Sequence, residues 1–301
     1  MTYDIIIPHF GVPEVTPLAI NCLESVRAYS ADYRLIFVDN GSPAEEWEKI
    51  DPYVRSHERL SLLRNTRNTG FITAVNEALA LSTAPYIVLM NNDSEAVAGW
   101  LEKLRAPLRS RVGMSGPRTT TPESWQGRWQ GRNGIQILQS QAMLAFFCMM
   151  MTRGVFETIG YLDPAYGMGF GDDDDYCRRA VQGGFQLALV QDLVIPHHHR
   201  STWKSLYTKE QIFVMQNSAM RRFKKWEGSV KNEPLQPLGA WQHLEGEPSS
   251  QSPCCNVKVV GAIQDNHVLL GRCARCKSDI YTLNVKKIGR ASCRERVSDY
   301  V

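Results

Sequence analysis

Amide and carboxylate side chains follow the apolar segment Tyr86–Met90 directly, as Asn91-Asn92-Asp93. A carboxylate at the end of a buried strand is a suitable oxygen ligand for Mg²⁺ or Mn²⁺, which completes its shell with phosphate oxygens and water. Asp93 is therefore a candidate metal ligand. The alternative is that Asn92 and Asp93 cap a helix that begins immediately afterwards, in DSEAVAGWLEKL.

A second apolar segment ends in a similar way, at Asp39-Asn40-Gly41-Ser42. The Asp39 carboxylate could accept hydrogen bonds from a base or a ribose, and Gly41 permits a close approach of the backbone. The two acidic ends together favour a nucleotide site over simple helix capping.

Four consecutive aspartates, Asp172–Asp175, open a predicted helix, Asp173–Gln182. Acids are stabilised at a helix N-terminus by the helix dipole, which is one explanation for them. Mutual repulsion among four carboxylates is expected to raise the pKa of at least one, as a general base that works near neutral pH requires. Helical spacing places Asp172 and Asp175 on one side and Asp173 on another.

Three histidines, His197–His199, follow the apolar segment LALVQDLVIP. Neutral imidazole is a common ligand for transition metals. Side chains alternate faces on an extended segment, so at most two of the three histidines point the same way. A surface cluster without a ligand is the alternative.

A long loop is predicted over Ser115–Gly134, which is rich in Gly, Thr, Arg and Trp. Long loops in compact domains are often functional. Trp125 and Trp129 either offer a flat apolar surface to a sugar or fill a small core of the loop itself.

The elements that must position these residues alternate along the chain. Apolar, β-branched segments are separated by segments with helical periodicity, which predicts a mainly parallel sheet with helices on both faces. The carboxyl ends of such strands lie at one edge of a sheet, so their polar residues are expected to form one ligand site. Later in the chain, a strand pair is predicted near Phe185–Pro196. The four early strand segments are Asp4–Pro8, Arg34–Ser42, Leu60–Asn65 and Tyr86–Asp93.

The composition is that of an ordinary globular enzyme. The 301 residues are 43% apolar and 22% charged, and a net charge of +3 predicts no strong attraction to nucleic acid. Cys22, Cys148 and Cys177 lie in apolar or amphipathic surroundings and are predicted to be reduced core thiols, which suits a cytoplasmic protein. A basic helix predicted over Glu210–Trp226 either contacts the inner face of a membrane or has a solvated face.

Five motifs occur in order: DIIIPHFG, FVDNGS, NTGFITAVNEAL, VLMNND and GFGDDDDYCRRAVQGG. In this order and spacing they resemble the inverting family-2 glycosyltransferases, and most closely a rhamnosyltransferase-like bacterial branch. The resemblance covers roughly residues 3–225. It implies a GT-A fold, which is an α/β, Rossmann-like architecture with a mixed, mainly parallel sheet flanked by helices.

The resemblance also implies roles for individual residues. NND stands in the place of a DxD-type motif, which makes Asp93 the ligand of Mn²⁺ or Mg²⁺. His197, with His199 behind it, is implied to complete the metal shell. GDDDDYC matches the place of a Glu-Asp-x-Asp motif, which makes Asp173 the catalytic base and puts Asp172 beside it. The implied nucleotide-sugar-binding residues are Pro8, Phe10, Asp39, Asn40, Ser42, Asn68, Gly70, Asn76, Asn91 and Asn92.

The function implied is transfer of a hexosyl or rhamnosyl unit from a nucleotide-diphosphate sugar to a hydroxyl of a glycan or lipid-linked saccharide, with inversion and metal assistance. Two other classes stay open. A nucleotidyltransferase that makes nucleotide sugars normally has a glycine-rich basic loop after the first strand, which IPHFGVPEV lacks. A non-catalytic module that binds a metal or a partner would not need intact acids at Asp39, Asp93 and Asp173.

The last part of the chain differs in character. We predict a glycosyltransferase domain over residues 1–227, a linker over 228–253 and a small cysteine-containing β-hairpin over 254–286. The hairpin is either zinc-ribbon-like, with His267 able to replace one cysteine, or a disordered tail. KIGRASCRERV, from residue 287, matches a translated sequencing adapter, so 287–301 is predicted to be an artefact. The candidate Zn²⁺ ligands are Cys254, Cys255, Cys273 and Cys276.

Overall fold

A computed structural model describes most of the first 198 residues and shorter stretches beyond them. The described residues are 1–122, 124–128, 133–139, 143–167, 169–198, 205–208, 211–213 and 215–217, with the backbone of 251–252, 257–260, 267–273 and 279–285. The strands of the main sheet are β1 (Tyr3–His9), β2 (Tyr33–Asp39), β3 (Leu60–Arg64), β4 (Tyr86–Met90), β5 (Val112–Thr119), β6 (Ile135–Ile137), β7 (Cys148–Thr152) and β8 (Gln186–Ile195). The helices are α1 (Thr16–Tyr29), α2 (Ala44–Arg55), α3 (Phe71–Leu81), α4 (Trp100–Arg105), α5 (Arg153–Ile159) and α6 (Asp172–Gln182).

The eight strands form one sheet in the order β3-β2-β1-β4-β7-β5-β8-β6. β7 is antiparallel to β4 and β5, and β6 is antiparallel to β8, whereas the other pairs are parallel. The predicted mixed and mainly parallel α/β sheet is therefore confirmed. The strands β1 to β4 lie at the predicted apolar segments, and the helices α1 to α3 lie at the predicted helical segments between them.

Helices cover both faces of the sheet, as the nearly all-apolar strands predict. Successive side chains of a strand point to opposite faces, and β1 shows this directly. Ile5 and Ile7 pack with α1, α2 and α4 in one cluster, whereas Ile6 packs with α3, α5 and α6 in the other. All three isoleucines are fully buried, so the strand is stabilised from both sides.

The topology places several chain segments at the carboxyl edge of the parallel strands. β7 begins at this edge, because Cys148 pairs with Met90 at the end of β4. The end of α6, at Gln182, leads within a few residues into the start of β8, so α6 runs back across the sheet and its first turn lies at the carboxyl edge. The ends of β1, β2, β4 and β8 and the start of α6 therefore meet at one edge.

Three local predictions are corrected by the structure. The loop predicted over Ser115–Gly134 begins later, because its first five residues belong to β5 (Val112–Thr119). The strand pair predicted near Phe185–Pro196 is one long strand, β8, which pairs with β5 on one side and β6 on the other. The helix predicted immediately after Asp93 is absent there, because α4 begins at Trp100 with Gly99 as its N-cap. Helix capping by Asn92 and Asp93 is thus excluded.

The predicted core thiols are confirmed. Cys22, Cys148 and Cys177 are free and fully buried. Burial raises the pKa of each thiol, which keeps all three in the neutral form that suits an apolar core.

The C-terminal strands are β9 (Gln251–Ser252), β10 (Val257–Val260), β11 (His267–Cys273) and β12 (Asp279–Val285), and they form an antiparallel sheet in that order. The predicted pairing of the two strands on either side of QDN is confirmed by β10 and β11. β9 falls in the predicted linker, and β12 adds a third strand within 254–286. Of the candidate Zn²⁺ ligands, Cys254, Cys255 and Cys276 lie outside the described residues, and only the backbone of Cys273 is described.

The domain boundaries stay a prediction, as does the zinc site. Most of the basic helix predicted over Glu210–Trp226 lies outside the described residues, and so does the segment 287–301. Within the described part of the chain, no helix combines the length and the apolar character needed to cross a lipid bilayer.

Candidate active site

The segment that follows β4 is a tight turn. The Ser94 N–H donates to the Asn91 carbonyl at 3.1 Å, and the Asn91 N–H donates to the Phe147 carbonyl at 2.8 Å. Asn92 and Asp93 occupy the two central positions of this turn, beyond the end of the strand. Both residues are buried, at 6% and 5% exposure, so each must satisfy its polar atoms with partners in the protein or with a ligand.

Asp93 and His197 face each other at the edge of the sheet. The His198 N–H donates to the Asp93 carbonyl at 3.0 Å and brings the segment after β8 beside the turn. His197 Nε2 lies 3.2 Å from Asp93 Oδ1, and the His197 ring stacks on Phe147 with centroids 4.8 Å apart. His198 is half-exposed, so the predicted alternation of faces is confirmed for these two histidines. His199 lies outside the described residues.

The Asp93–His197 pair has the donor types and spacing of two adjacent ligands of one cation. Ligands about 2.1 Å from an octahedral ion and at right angles are about 3 Å apart, which is close to the 3.2 Å between Asp93 Oδ1 and His197 Nε2. Among the described residues, no group of three or more His, Cys, Asp or Glu side chains is arranged to hold a metal. Asp93 and His197 could supply two ligands of a divalent cation, with the remaining positions left to phosphate and water.

His9, the last residue of β1, contacts the other central residue of the turn. Its Nδ1 lies 2.8 Å from Asn92 Nδ2, and its ring packs against Phe37. Burial lowers the pKa of His9 to about 4, against the opposing effect of nearby carboxylates, so the imidazole is neutral at pH 7. Thus His9 holds Asn92, and His197 holds Asp93.

Asp39 ends β2 and is fully buried. It accepts hydrogen bonds from the Ser42 N–H at 3.1 Å and from Arg64 Nε at 3.0 Å, and the Arg64 guanidinium lies over the Trp47 ring. Ser42 Oγ accepts from the Gly11 N–H at 2.7 Å, which ties the loop after β1 to the loop after β2. The predicted contact of Asp39 with a base or ribose stays a prediction.

Asn40 organises the segment that leads into α3. Its Oδ1 accepts hydrogen bonds from Asn65 Nδ2 and from the N–H and hydroxyl of Thr69. Its Nδ2 donates to Asn68 Oδ1 and to the Gly70 carbonyl. The whole Asn40 amide is therefore engaged within the protein, and its visible role is to shape the loop that presents Asn68 and Gly70.

Two other positions singled out from the sequence, Gly41 and Asn76, contact the backbone of the protein itself. Gly41 has a φ of +81°, and a Cβ there would lie 2.3 Å from the Arg67 carbonyl carbon, so the close approach expected at Gly41 is to this chain. Asn76 is fully buried, and its amide exchanges two 2.9 Å hydrogen bonds with the backbone of Leu162. Asn76 thus braces α3 against the segment after α5, and its predicted ligand contact stays a prediction.

The acidic segment forms the first turn of α6. Burial, and then repulsion from Asp174 and Asp175, raises the pKa of Asp172 to about 7. Burial, and then repulsion from Asp172 and Asp174, raises the pKa of Asp173 well above its ordinary range. The predicted rise in pKa is confirmed, but loss of hydration is a larger cause than the repulsion that the sequence suggested.

Asp175 has a different environment from its neighbours. Arg179 Nε donates to Asp175 Oδ2 at 2.8 Å, and Arg179 also donates to the Ile159 carbonyl at 2.8 Å. Asp172 and Asp175 are 6% and 1% exposed, whereas Asp173 is partly exposed, as the helical spacing predicts. Asp175 is therefore a structural brace, and Asp173 is the acid of the three that is accessible to solvent.

One short segment connects the acidic helix with the turn after β4. The Leu144 N–H donates to Cys177 Sγ at 3.2 Å, and Cys177 lies about one helical turn after Asp173. Three residues later, the Phe147 carbonyl accepts hydrogen bonds from the turn that carries Asp93. Both contacts are made by a segment at the carboxyl edge, so Asp93 and Asp173 lie at the same edge of the sheet, as expected.

The long loop after β5 is held by Gln126. Its Nε2 donates to the Pro117 carbonyl at 2.6 Å, and its Oε1 accepts from the Ala145 N–H at 2.7 Å. Trp125 is half-buried and its Nε1 lies 3.1 Å from Met143 Sδ. Trp125 therefore packs within the protein while keeping part of its surface exposed, and Trp129 lies outside the described residues.

His9 and Arg64 contact the predicted site residues, but the sequence did not single them out as site residues. Each is a polar side chain that ends an apolar strand, next to the turn or loop that carries the predicted ligands. The same signal identified Asp39 and Asp93. It also placed the strand end Pro8-His9-Phe10 at the expected ligand edge, without a role for His9, and applied to β3 it would have found Arg64.

Known proteins resemble this chain in sequence. The model of Glycosyl transferase family 2 matches residues 4–160. The chain is 25% identical over 232 residues to "Uncharacterized protein y4gI" of Sinorhizobium fredii, which covers 66% of this chain and 24% of that protein. It is 22% identical over 196 residues to the pre-mycofactocin glycosyltransferase of Mycobacterium tuberculosis, which covers 60% of this chain and 40% of the relative. The chain thus spans less than half the length of these curated relatives.

Solved structures resemble it in fold. The mannosyltransferase PcManGT from Pyrobaculum calidifontis, in complex with GDP-Man and Mn²⁺, matches with a TM-score of 0.58 and 16% identity over 77% of this chain and 66% of that chain. GalNAc-T7 with UDP, GalNAc and Mn²⁺ matches with a TM-score of 0.53 and 18% identity over 65% and 43% of the two chains. The architecture is therefore the GT-A fold that the sequence motifs implied.

Proposed function

Because the chain belongs to Glycosyl transferase family 2, we propose that it transfers a sugar from a nucleotide-diphosphate sugar to a hydroxyl group of an acceptor, with inversion at the anomeric carbon. The transferred unit is a hexosyl or rhamnosyl group, and the acceptor is a glycan or a lipid-linked saccharide. Similar solved structures hold GDP-mannose, or UDP and GalNAc, together with Mn²⁺, which supports a nucleotide sugar as the donor.

The observation that carries this proposal is the position of two different acidic groups at one edge of the sheet. Asp93 lies 3.2 Å from His197 in a pair suited to a cation. Asp173 lies on the first turn of α6, partly exposed and with a raised pKa. A pair that could hold a cation and a separate basic carboxylate are the two charged groups that a metal-assisted inverting transfer uses.

Asp93 and His197 would hold Mn²⁺ or Mg²⁺, which when bound neutralises charge that develops on a departing diphosphate. Asp173 accepts the proton of the acceptor hydroxyl. As the proton leaves, the hydroxyl oxygen attacks the anomeric carbon from the face opposite the diphosphate, which departs. A carboxylate whose pKa is raised towards neutrality is a stronger base than an exposed aspartate, and so removes this proton more effectively. Asp172, buried beside it, helps to keep that pKa high.

The loops after β1, β2 and β3 would hold the nucleotide. Pro8 and Phe10 are partly exposed at the end of β1, and Ser42 fixes the adjoining loop. Asn68 and Gly70 precede α3, whose first N–H groups favour an anion such as a diphosphate. Asn40 holds this loop through five hydrogen bonds, so the phosphate-facing backbone is shaped before a ligand binds.

A thermal-shift screen with UDP-, GDP- and dTDP-sugars, each with and without Mn²⁺, tests the donor. We expect one nucleotide class to raise the melting temperature, with a larger rise when Mn²⁺ is present, because binding to the folded state stabilises it. The same donor should be slowly hydrolysed without an acceptor and consumed faster when hydroxyl acceptors are added. Absence of binding and of hydrolysis across the panel would contradict the proposal.

The competing enzyme class is distinguished by its products. A nucleotidyltransferase would release pyrophosphate from a nucleoside triphosphate and a sugar 1-phosphate, whereas the proposed transferase releases a nucleoside diphosphate from a nucleotide sugar. Nucleotide binding without either reaction would instead support a non-catalytic module.

A further inference from the structure

His9 is a buried polar residue that the roles described so far do not explain. It is 2% exposed and lies at the end of β1, which pairs directly with β4. Its Nδ1 is 2.8 Å from Asn92 Nδ2, whereas its Nε2 is buried and has no hydrogen-bond partner among the described residues. Burying an imidazole costs free energy that an apolar side chain would not, so a specific use of the ring is expected.

The contact with Asn92 determines which ring nitrogen carries the proton. An amide nitrogen is a donor, so Nδ1 must be the acceptor and a neutral imidazole then carries its proton on Nε2. The charged groups that act on the ring are two carboxylates, Asp39 and Glu46. Their negative charge raises the proton affinity of the ring, but burial outweighs it, so the ring stays neutral with a single proton.

The same contact gives the orientation of the Asn92 amide. Because Nδ2 is bound to His9, Oδ1 points to the opposite side of the amide. Nothing in the described part of the chain donates a hydrogen bond to this oxygen. Asn92 is adjacent in the chain to Asp93 of the proposed cation pair, within the same tight turn.

We propose that His9 is a positioning residue: through Nδ1 it turns the Asn92 amide so that Oδ1, and not the NH₂ group, faces the ligand cleft. A carbonyl oxygen there accepts a hydrogen bond from a hydroxyl group of the nucleotide sugar, whereas an NH₂ group in its place would face that donor and the cation unfavourably. This inference rests on the proposed function, and it assigns to His9 a role that does not require contact with the ligand.

Three substitutions of His9 separate the role of Nδ1 from that of the ring as a whole. Asparagine carries its Oδ1 near the position of histidine Nδ1, glutamine carries its polar atoms near the position of Nε2, and leucine carries neither. We expect His9→Leu and His9→Gln to raise the Kd for the nucleoside diphosphate about tenfold, the effect of one lost hydrogen bond. His9→Asn should remain within about threefold of the wild type.

The probes are UDP, GDP and dTDP, each with Mn²⁺, and the Kd is measured by calorimetry on variants whose melting temperature shows that they are folded. A double-mutant cycle with Asn92→Ala gives the second measurement. If His9 acts through Asn92, His9→Leu should change the Kd less than about twofold in the Asn92→Ala background. An equal loss in both backgrounds, or an equal loss for all three His9 variants, would overturn the inference.

The wild-type protein provides a test that does not depend on any variant folding. Two-bond ¹H–¹⁵N correlation spectra of the histidine-labelled protein report which ring nitrogen is protonated, and the His9 signal is assigned by its loss in His9→Asn. We expect Nε2 to carry the proton, and a protonated Nδ1 would overturn the inference. If the wild type binds none of the three nucleotides with Mn²⁺, the proposed function and this inference both fail. Binding that is insensitive to His9 defeats this inference alone.

Discussion

The two edges of the sheet both contain buried carboxylates, but the surrounding protein satisfies them differently. At the amino edge, Asp4 is 1% exposed and accepts hydrogen bonds from Arg34, the Ser82 hydroxyl and the N–H groups of Thr83 and Ala84. At the carboxyl edge, Asp172 is 6% exposed and the partly exposed Asp173 follows it, with like charges beside both. Burial is common to both edges, so burial alone does not distinguish a structural acid from a chemical one.

The direction of the pKa shift makes the distinction. Burial would raise the pKa of Asp4, but the hydrogen bonds from Arg34 and the backbone outweigh it, and the net pKa is lowered. For Asp172 and Asp173, burial and repulsion act in the same direction and the pKa is raised. The amino edge therefore uses its carboxylate to join elements, whereas the carboxyl edge keeps carboxylates that can accept a proton.

The largest effect is expected for Asp173→Asn. Removing a general base should lower the rate of sugar transfer about 100- to 10,000-fold, while nucleotide binding survives. The melting temperature should not fall, because the substitution removes a carboxylate that the fold holds at a raised pKa. Steady-state assays of transfer with the donor found in the screen provide the measurement. The comparison variant is Asp174→Asn on the same turn, which should lower transfer far less because it removes only a repulsion that raises the Asp173 pKa. Transfer by Asp173→Asn at a near wild-type rate would show that the base is misassigned.

At the opposite edge, Asp4→Asn should cost stability and not activity. The new NH₂ group would face the donors of Arg34, Thr83 and Ala84, and breaking a buried charge pair in this way costs about 3 kcal/mol. Urea denaturation measures this free energy of unfolding. Asp32→Asn, which removes an exposed carboxylate at the same end of the molecule, should leave the transition almost unchanged. If Asp4→Asn lost transfer activity but kept its stability, Asp4 would not be a purely structural acid and the proposed difference between the two edges would be wrong.

The cation pair is tested by Asp93→Ala. In the presence of Mn²⁺, the Kd for the nucleoside diphosphate should rise about 10- to 100-fold, whereas the weaker binding without the metal should change little. Calorimetry with and without Mn²⁺ separates the two. Glu95→Ala is the control, because Glu95 lies 3.6 Å from the half-exposed His198 in a similar but solvent-accessible pair. Equal weakening by both variants would exclude a specific metal role for Asp93.

The smallest expected effect is a pH dependence of the free energy of unfolding, which has opposite signs for the carboxylates at the two edges. The pKa of Asp172 is raised from 3.8 to about 7 in the folded state, so its contribution to stability is full below pH 4 and is lost as the pH rises towards 7. Asp172→Asn should therefore gain stability relative to the wild type over this interval, by about 1 kcal/mol or more. Asp4 has a lowered pKa, so its contribution is present above its unfolded value and is lost as the pH falls below it. Denaturation series from about pH 2 to pH 8 cover both intervals, and parallel curves for the wild type and Asp172→Asn would contradict the assignment.

Much of the fold was predictable, because strands and helices depend on local periodicity. The predicted parallel segments from β1 to β4 occur as expected, and so does the helix that begins at the four aspartates. The errors lie where pairing decides the outcome. The segment Gln186–Ile195 was predicted as part of a strand pair but is one strand, since β5 and β6 provide its two neighbours. The polar start of DSEAVAGWLEKL suggested a helix cap, but the chain turns back to Phe147 and His197 before α4 begins.

The candidate site was predictable at the level of strand ends and less so at the level of atoms. Asp93, Asp172 and Asp173 lie at the expected edge. Asn40 and Asn76, however, use their amides to hold the chain's own backbone and loops. An asparagine at a strand end or on a helix has the same local sequence signal whether its partner is a ligand or a distant backbone group.

The sequence by itself determined the alternation of strands and helices, the family and the edge at which acids collect, because these follow from residue type and short-range spacing. Only the tertiary structure decided which polar atoms face each other. His9 and Asn92 are 83 positions apart in the chain, and the Asp93–His197 pair joins the ends of β4 and β8. Such pairs form because neighbouring strands bring distant residues within hydrogen-bonding range, and the burial that changes their pKa values is a property of the whole packed sheet.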